Sequence, residues 1–368
     1  MKNKYYSLDA ILKHQATYNV IFGERSNGKT YAVLEYALRA FWERREQLAL
    51  IRRWQDDFIG KRGQMMFANL VCNGDGKNMV SKITGGEWTD IYYWASKWYL
   101  CRWSDETGKR EVMEDPFAFG FALSGQEHDK ATSYPNVKTI LFDEFITRGT
   151  YLSDEFILFM NTLSTVIRLR SEGIKIFMLA NTVNKYACPY FSEMGLTHVR
   201  NMKQGDIDIY RYGDTRLTVA VEYAKPNGEG KASDYFFAFD NPKLQMITSG
   251  AWELDIYPHC PMKYRHADVR FEYFIKFDGE LLHCEIIQTQ DCLFTFIHRK
   301  TTELKDIEHD LIYDLEANPH RNFVRNFFKP SNKIAERVLM IYRNDKVFYA
   351  DNETGEIMRN YLNACKVA

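Results

Sequence analysis

The chain has 368 residues, 45% hydrophobic and 15% aromatic, which is more than one core comfortably holds, so two domains are expected. Its 48 Lys and Arg against 49 Asp and Glu leave a net charge of −1. This excludes a protein that coats nucleic acid by bulk charge; DNA contacts would have to come from local basic loops or from a ring that concentrates them.

The first segment, MKNKYYSLDA, lacks the apolar stretch of a signal peptide, and no run approaches the ~18 apolar residues of a membrane span, so a soluble intracellular protein is expected. A short apolar run, YNVIF (18–22), leads into GERSNGKT (23–30). A helical pattern follows, with Tyr31, Leu34, Leu38 and Trp42 spaced by three and four, and then a second apolar run, QLALIRR (47–53). Further on, YYWASKWYLCRW, the polar DETGKREVMED and PFAFGFALS predict a hairpin with a charged turn. VKTILFDEF (137–145) and IKIFMLAN (174–181) are continuous apolar strands of the kind buried on both faces of a parallel sheet, and 156–170 between them is helical in pattern. The order of elements predicts an α/β domain over 1–202 with a largely parallel sheet. Residues 203–251 have turn-rich texture and are expected to form a linker or lid. A smaller α+β domain is expected over 252–368, with two strands around the DG turn at 278–279 and helices near 301–315, 333–342 and 354–365. The seven cysteines form no C-x-x-C pair and fit reduced thiols, and neither His259-Cys260 nor His283-Cys284 has a second half at metal-ligand spacing.

The run Gly23-Glu24-Arg25-Ser26-Asn27-Gly28-Lys29-Thr30 matches G-x-x-x-x-G-K-[ST], after a predicted strand and at the start of a predicted helix. Glycines at 23 and 28 let successive backbone N–H groups turn toward a phosphate, and the helix adds its positive end. Lys29 would reach the β- and γ-phosphates, and the Thr30 hydroxyl would bind Mg²⁺. Arg25 reads as either a phosphate contact or a solvated loop residue. Asp143 and Glu144 end a buried strand, at the sheet edge where ligands bind. Asp143 would hold Mg²⁺ through its water shell, and Glu144 would polarise an attacking water. Adjacent Asp-Glu marks a hydrolase that carries its own base, and without an N-K-x-D guanine motif ATP is the expected nucleotide. These motifs define the expected fold class: a P-loop NTPase of the additional-strand, catalytic-glutamate kind. Asn181 reads as a γ-phosphate sensor or as a cap on its strand. Arg168 and Arg170 end the intervening helix and could enter a neighbouring subunit's site, or sit at the helix C-terminus as solvated cations. Arg52, Arg53, Lys61 and Arg62 are candidate DNA-phosphate contacts, with surface charge as the alternative.

In this order the motifs resemble the encapsidation (DNA packaging) ATPases of phi29-like phages. The resemblance runs through LIRRW, FALSGQEHDKATSYPNVKTILFDEFITRGTY, TLSTVIRLR, FMLANTVN and CPYF (188–191), and more weakly through AERVLMIYRNDKVFYADNETGEIMRNYL; 203–255 match poorly. It implies an ATP- and Mg²⁺-dependent translocase of double-stranded DNA, a homo-oligomeric ring (a pentamer) docked in the host cytoplasm on the portal vertex of the prohead. It implies Arg168 as a trans-acting arginine, Lys130 as a second residue reaching a neighbour, and an RNase H-like C-terminal domain without nuclease activity. Some relatives also use a packaging RNA. Asp268, Glu272 and Asp278 make no clear acidic cluster, because alternation sets Glu272 opposite the Phe271, Tyr273, Ile275 and Phe277 face. Alternatives are a helicase- or terminase-like motor that also cuts DNA, and a nucleotide-gated DNA-binding scaffold.

Overall fold

The fold is taken from a computed structural model of the chain, which describes residues 5–24, 27–128, 133–147, 151–168, 170, 172–181, 188–225, 257–260, 262–304 and 306–367. The chain divides into two compact units. The first comprises 1–146, 154–183 and 201–252, and the second comprises 147–153, 184–200 and 253–368.

The first unit is built on a 10-stranded sheet. Its strands are β1 (Tyr18–Gly23), β2 (Gln47–Arg52), β3 (Asp90–Trp94), β4 (Lys97–Ser104), β5 (Lys109–Val112), β6 (Ala118–Ala122), β7 (Val137–Asp143), β8 (Lys175–Asn181), β9 (Ile207–Arg211) and β10 (Thr218–Ala224). The order is β3-β4-β6-β2-β7-β8-β1-β10-β9, with β5 added beside β4. From β6 through β10 every neighbouring pair is parallel. The central strands β1, β2, β7 and β8 are buried along nearly their whole length, which is why they are apolar without alternation. Helix α1 (Lys29–Arg44) lays Val33, Leu34, Ala37, Leu38 and Phe41 against Ile21, Leu50, Leu141, Phe177 and Leu179 of the sheet. Each such large side chain removed from water contributes roughly 1.5–3 kcal/mol. Arg45, at φ 58°, stops the helix and returns its N–H to the carbonyls of Ala40 and Phe41.

Two expectations are corrected here. Part of the expected linker or lid belongs to the sheet: β10 pairs in parallel with β1 from Tyr18↔Val219 to Gly23↔Ala224, and β9 closes that edge. The cause is the apolar run Val219–Val221, buried beside the phosphate-loop strand, which the turn-rich flanks obscured. Residues 226–251 lie outside the described residues. The expected hairpin also contains an additional turn at Ala95-Ser96, with φ 49° and 56°, so that β4 pairs with β3 on one side and with β5 and β6 on the other.

The second unit has a 6-stranded sheet in the order β15-β14-β11-β12-β13-β16. These strands are β11 (Val269–Phe277), β12 (Glu280–Gln288), β13 (Leu293–Arg299), β14 (Leu311–Asp314), β15 (Phe323–Val324) and β16 (Val347–Tyr349). Only the β11–β12 and β12–β13 pairs are antiparallel. The Asp278-Gly279 turn takes φ 51° and 74°, the left-handed pair that a two-residue hairpin loop requires. Tyr273, Ile275, Leu282, Cys284 and Ile297 form one face and share a core with Val338 and Leu339 of α3 (Lys333–Arg343), and with Ile357 and Tyr361 of α4 (Asn352–Val367). The helix expected at 301–315 is absent among the described residues. That stretch holds turns and β14, whose Leu311, Ile312 and Tyr313 are buried in the sheet.

Candidate nucleotide site

The carboxyl edges of β1, β8 and β7 bring the sequence motifs together. Gly23 is in register with Asn181, and Asp143 with Leu179, so β8 lies between the phosphate-loop strand and the acidic strand. A cavity of about 380 Å³, within the ~300–1,000 Å³ range of small-molecule sites, is lined by Asn27, Gly28, Lys29, Thr30, Asp143, Glu144 and Asn181. Tyr5, Tyr31, Asn69, Asn73 and Gly74 line it too. The sequence reading missed these, because the first two precede or follow the loop as ordinary aromatics and the others lie in a segment without a motif.

The loop demands its glycines. Gly28 takes φ +91°, and a Cβ there would lie 3.3 Å from the Cβ of Tyr5; a Cβ on Gly23 would lie 3.0 Å from the carbonyl oxygen of Ala224. Lys29 is buried and donates from Nζ to Glu24 O at 2.6 Å, Asn27 Oδ1 at 3.1 Å and Gly23 O at 3.2 Å. Burial pulls its pKa down to about 8, against the opposing pull of Asp143 and Glu24. Arg25, Ser26 and Lys130 lie outside the described residues.

Thr30 Oγ1 is 3.3 Å from both Asp143 carboxylate oxygens. Burial raises the Asp143 pKa to about 6, with Arg52 the largest opposing influence. These hard oxygen donors suit Mg²⁺. Asn27 Nδ2 is buried beside them with no partner among the described residues, a donor that a phosphate oxygen would satisfy. The residues present therefore fit a Mg²⁺-nucleotide. Glu144 sits at φ 61°, an uncommon conformation for a residue with a side chain. Its N–H donates to Asp143 Oδ1 at 3.1 Å, and its carbonyl accepts from Arg53 Nη1 at 3.2 Å. Its carboxylate is half exposed, and Oε2 is 2.8 Å from Arg52 Nη2.

The basic candidates part company. Arg52 does not face solvent: it bridges Asp57 at 3.2 Å, Asp143 at 3.6 Å and Glu144 at 2.8 Å. Arg53 is only 6% exposed, holds Glu155 through two contacts of 2.7 and 2.8 Å, and donates to the carbonyl of Phe145 at 2.8 Å. A buried ion pair of this kind removes Arg53 as a DNA-phosphate contact. Lys61 and Arg62 are exposed. Arg170 donates to the carbonyls of Pro135, Val137, Val166 and Ile167, so it secures the end of α2 (Glu155–Ile167). Arg168, the C-cap at φ 48°, is exposed.

A family model described as Podovirus DNA encapsidation protein (Gp16) matches residues 106–211, the stretch containing Asp143, Glu144, Arg168 and Asn181. Over 194 residues the chain is 26% identical to the DNA packaging protein of Bacillus phage phi29, covering 52% of this chain and 50% of that protein. The corresponding protein of Bacillus phage B103 is 27% identical over 191 residues, half of each chain. Over this stretch the chain is similar to the podovirus DNA encapsidation proteins. The matched stretch spans about half the length of these curated relatives. The likeness of fold runs further. The Phi-28 gp11 DNA packaging motor superposes with a TM-score of 0.57 over 100% of this chain and 99% of its own, at 19% identity. The bacteriophage Phi-29 viral genome packaging motor assembly gives 0.56 over 97% of each chain, also at 19% identity. What these structures share with the chain is a mixed α/β fold with a large, mostly parallel sheet.

Proposed function

We propose that this encapsidation relative is an ATPase that drives double-stranded viral DNA into a preformed capsid through the portal vertex. The observation that carries this reading is the convergence of Lys29, Thr30, Asp143 and Glu144 on one cavity at the carboxyl edge of the sheet. The position of β8 between the two motif strands supports the additional-strand, catalytic-glutamate class. Lys29 and the loop backbone bind the β- and γ-phosphates, and Glu144 accepts a proton from the attacking water. Mg²⁺ held by Thr30 and Asp143 would neutralise charge on the phosphates. Asn181, on the intervening strand, senses the γ-phosphate. Arg168 projects from a helix end as the trans-acting arginine of a homo-oligomeric ring, taken as a pentamer, and Lys61 and Arg62 are its exposed candidates for DNA contact. The ring works in the host cytoplasm on the prohead portal, with a packaging RNA as a further candidate partner. Among the described residues no helix is long and apolar enough to cross a membrane.

Residues 1–202 are assigned to the ATPase domain together with β9 and β10, apart from 147–153 and 184–200, which group with the second unit, and 252–368 to a nuclease-inactive domain. For the latter, the order β15-β14-β11-β12-β13, with β12 alone running against its neighbours, supports an RNase H-like reading.

The test is the ATPase rate of wild type, Glu144→Gln and Arg168→Ala, with and without duplex DNA, and of the two variants mixed. Stimulation by DNA, loss of turnover in each variant and partial recovery on mixing are expected. Full activity of Arg168→Ala removes the trans assignment, and indifference of the assembled protein to DNA removes the translocation reading.

A further inference from the structure

We infer that His283, Glu285 and His298 form a binding site for a divalent transition metal on the face of the second sheet opposite the α3–α4 core. The site was invisible to spacing in the sequence because its halves belong to different strands. Register creates it: His283 on β12 stands directly across from His298 on β13, and Glu285 lies two residues along β12 on the same face. Glu272 on β11 stands across from Glu285.

One ligand atom from each of His283, Glu285 and His298 lies within 4.8 Å of the others. A tetrahedral zinc ion with bonds of ~2.0–2.2 Å needs donors about 3.4 Å apart, so small side-chain rotations close the site. The contacts of the two rings point the same way. A carbonyl oxygen can only accept, so His298 Nδ1, 3.2 Å from Arg299 O, donates its hydrogen there. In the neutral ring that leaves a lone pair on Nε2, which faces Glu285 Oε2 at 3.7 Å. His283 Nε2 is in turn 3.0 Å from Glu272 Oε2, the carboxylate pairing that orients a metal-bound imidazole. The two rings are 4.7 Å apart, close enough for one ion to reach both. The Tyr264 hydroxyl donates to Glu285 Oε2 at 2.5 Å and fixes that carboxylate.

The side chains are partly covered, at 17% exposure for His283, 15% for Glu285 and 33% for His298, so the donors are held in place yet reachable from solvent. Two imidazole nitrogens and one carboxylate suit Zn²⁺, or Co²⁺ as its spectroscopic substitute, and do not suit Mg²⁺.

The experiment uses the full chain, stripped with chelator and kept in excess Mg²⁺ so that the nucleotide site does not compete. Co²⁺ is titrated by its visible absorption, and Zn²⁺ by competition with a chromophoric chelator. One equivalent per chain is expected, with no thiolate charge-transfer band. Glu272→Gln should weaken binding by ~10–100-fold, and loss of a direct ligand in His298→Gln or Glu285→Gln should weaken it more. His298→Cys keeps a ligand and should add a thiolate band to the Co²⁺ spectrum, which only a residue touching the ion can do. Far-ultraviolet circular dichroism checks each variant, and the His298→Cys band is read on folded, metal-bound protein. Wild type that takes up no Co²⁺, equal uptake by folded His298→Gln, or bound Co²⁺ without the new band in His298→Cys would each overturn the assignment.

Discussion

Arg52 Nη2 lies 2.8 Å from Glu144 Oε2, while Nη1 of the same guanidinium is 3.6 Å from Asp143. One planar cation therefore offsets both acids of the DE pair, and Asp57 at 3.2 Å holds it from the other side. An Arg52→Ala chain keeps the acids but loses the group that separates their charges and positions Glu144. Turnover should fall by about 100-fold, the usual consequence of misplacing a reacting group by an ångström. Arg52→Lys should recover little of it, since a point charge cannot serve three carboxylates at once. Steady-state ATPase assays with nucleotide binding measured in parallel check this; unchanged turnover in Arg52→Ala would show that the contact is incidental.

Arg53 acts through packing. It ties Glu155, at the start of α2, to the carbonyls of Glu144 and Phe145, so it pins the backbone that presents the Glu144 carboxylate. Removing one member of a buried ion pair leaves the other charge uncompensated, at a cost of ~3–5 kcal/mol. Arg53→Ala should therefore lower the melting temperature by about 10 °C or more. Calorimetry of the variant, with Arg62→Ala as an exposed control expected to melt within a degree or two of wild type, makes the comparison.

The contrast between neighbouring arginines shows where sequence reading succeeds and where it stops. Lys29, Thr30, Asp143 and Glu144 were legible because each motif is local, and a buried strand delivers its last residues to a known edge of the sheet. The Asp278-Gly279 hairpin was legible because the turn chemistry is written in adjacent residues. Arg52 and Arg53 were read as DNA-phosphate contacts or surface charge because their partners, Glu144 and Glu155, lie far along the chain, and only the fold around the β2–β7 pair brings them near. Residues 218–224 were misread for a related reason. Val219–Val221 is a short apolar run among turn residues, and its burial depends on lying beside β1. The His283–His298 pairing likewise exists only in the register of two strands.

Glu222 is a carboxylic acid in that buried strand, 7% exposed, with the Tyr6 hydroxyl donating to Oε2 at 2.5 Å. Burial raises its pKa above the ordinary 4.5, against the smaller pull of the Tyr6 hydrogen bond. The folded state thus holds this proton to higher pH than the unfolded chain does. Stability from this group is full below pH 4.5 and is lost as pH rises toward the folded pKa. Glu222→Gln keeps an acceptor for Tyr6 and cannot ionise. It should be the more stable chain at pH 8 and lose that advantage near pH 4.5. Urea melts of both chains at the two pH values read the difference, and a gain that is the same at both would rule out ionisation as its cause.

Arg168 and Arg170 are two residues apart and should fail in different ways. Arg170 satisfies the carbonyls of Val166 and Ile167 at the end of α2 and those of Pro135 and Val137 at the start of β7, so it ties the helix to the strand that carries Asp143. Its loss leaves partly buried carbonyls without a donor, a cost of ~1–3 kcal/mol for each one not rescued by water. Arg170→Ala should therefore melt earlier whatever the protein concentration, with ATPase activity falling in step with the folded fraction. Arg168 is exposed at a backbone turn just beyond the helix. If it completes a neighbour's site, Arg168→Ala should melt like wild type and bind nucleotide normally, while the assembled protein loses ~10³-fold or more in turnover. Adding a catalytically dead Glu144→Gln chain with its own Arg168 intact should then restore part of that activity, because each variant supplies what the other lacks. A loss that stays complete on mixing, in a population shown by light scattering to co-assemble, would place the role of Arg168 within its own chain.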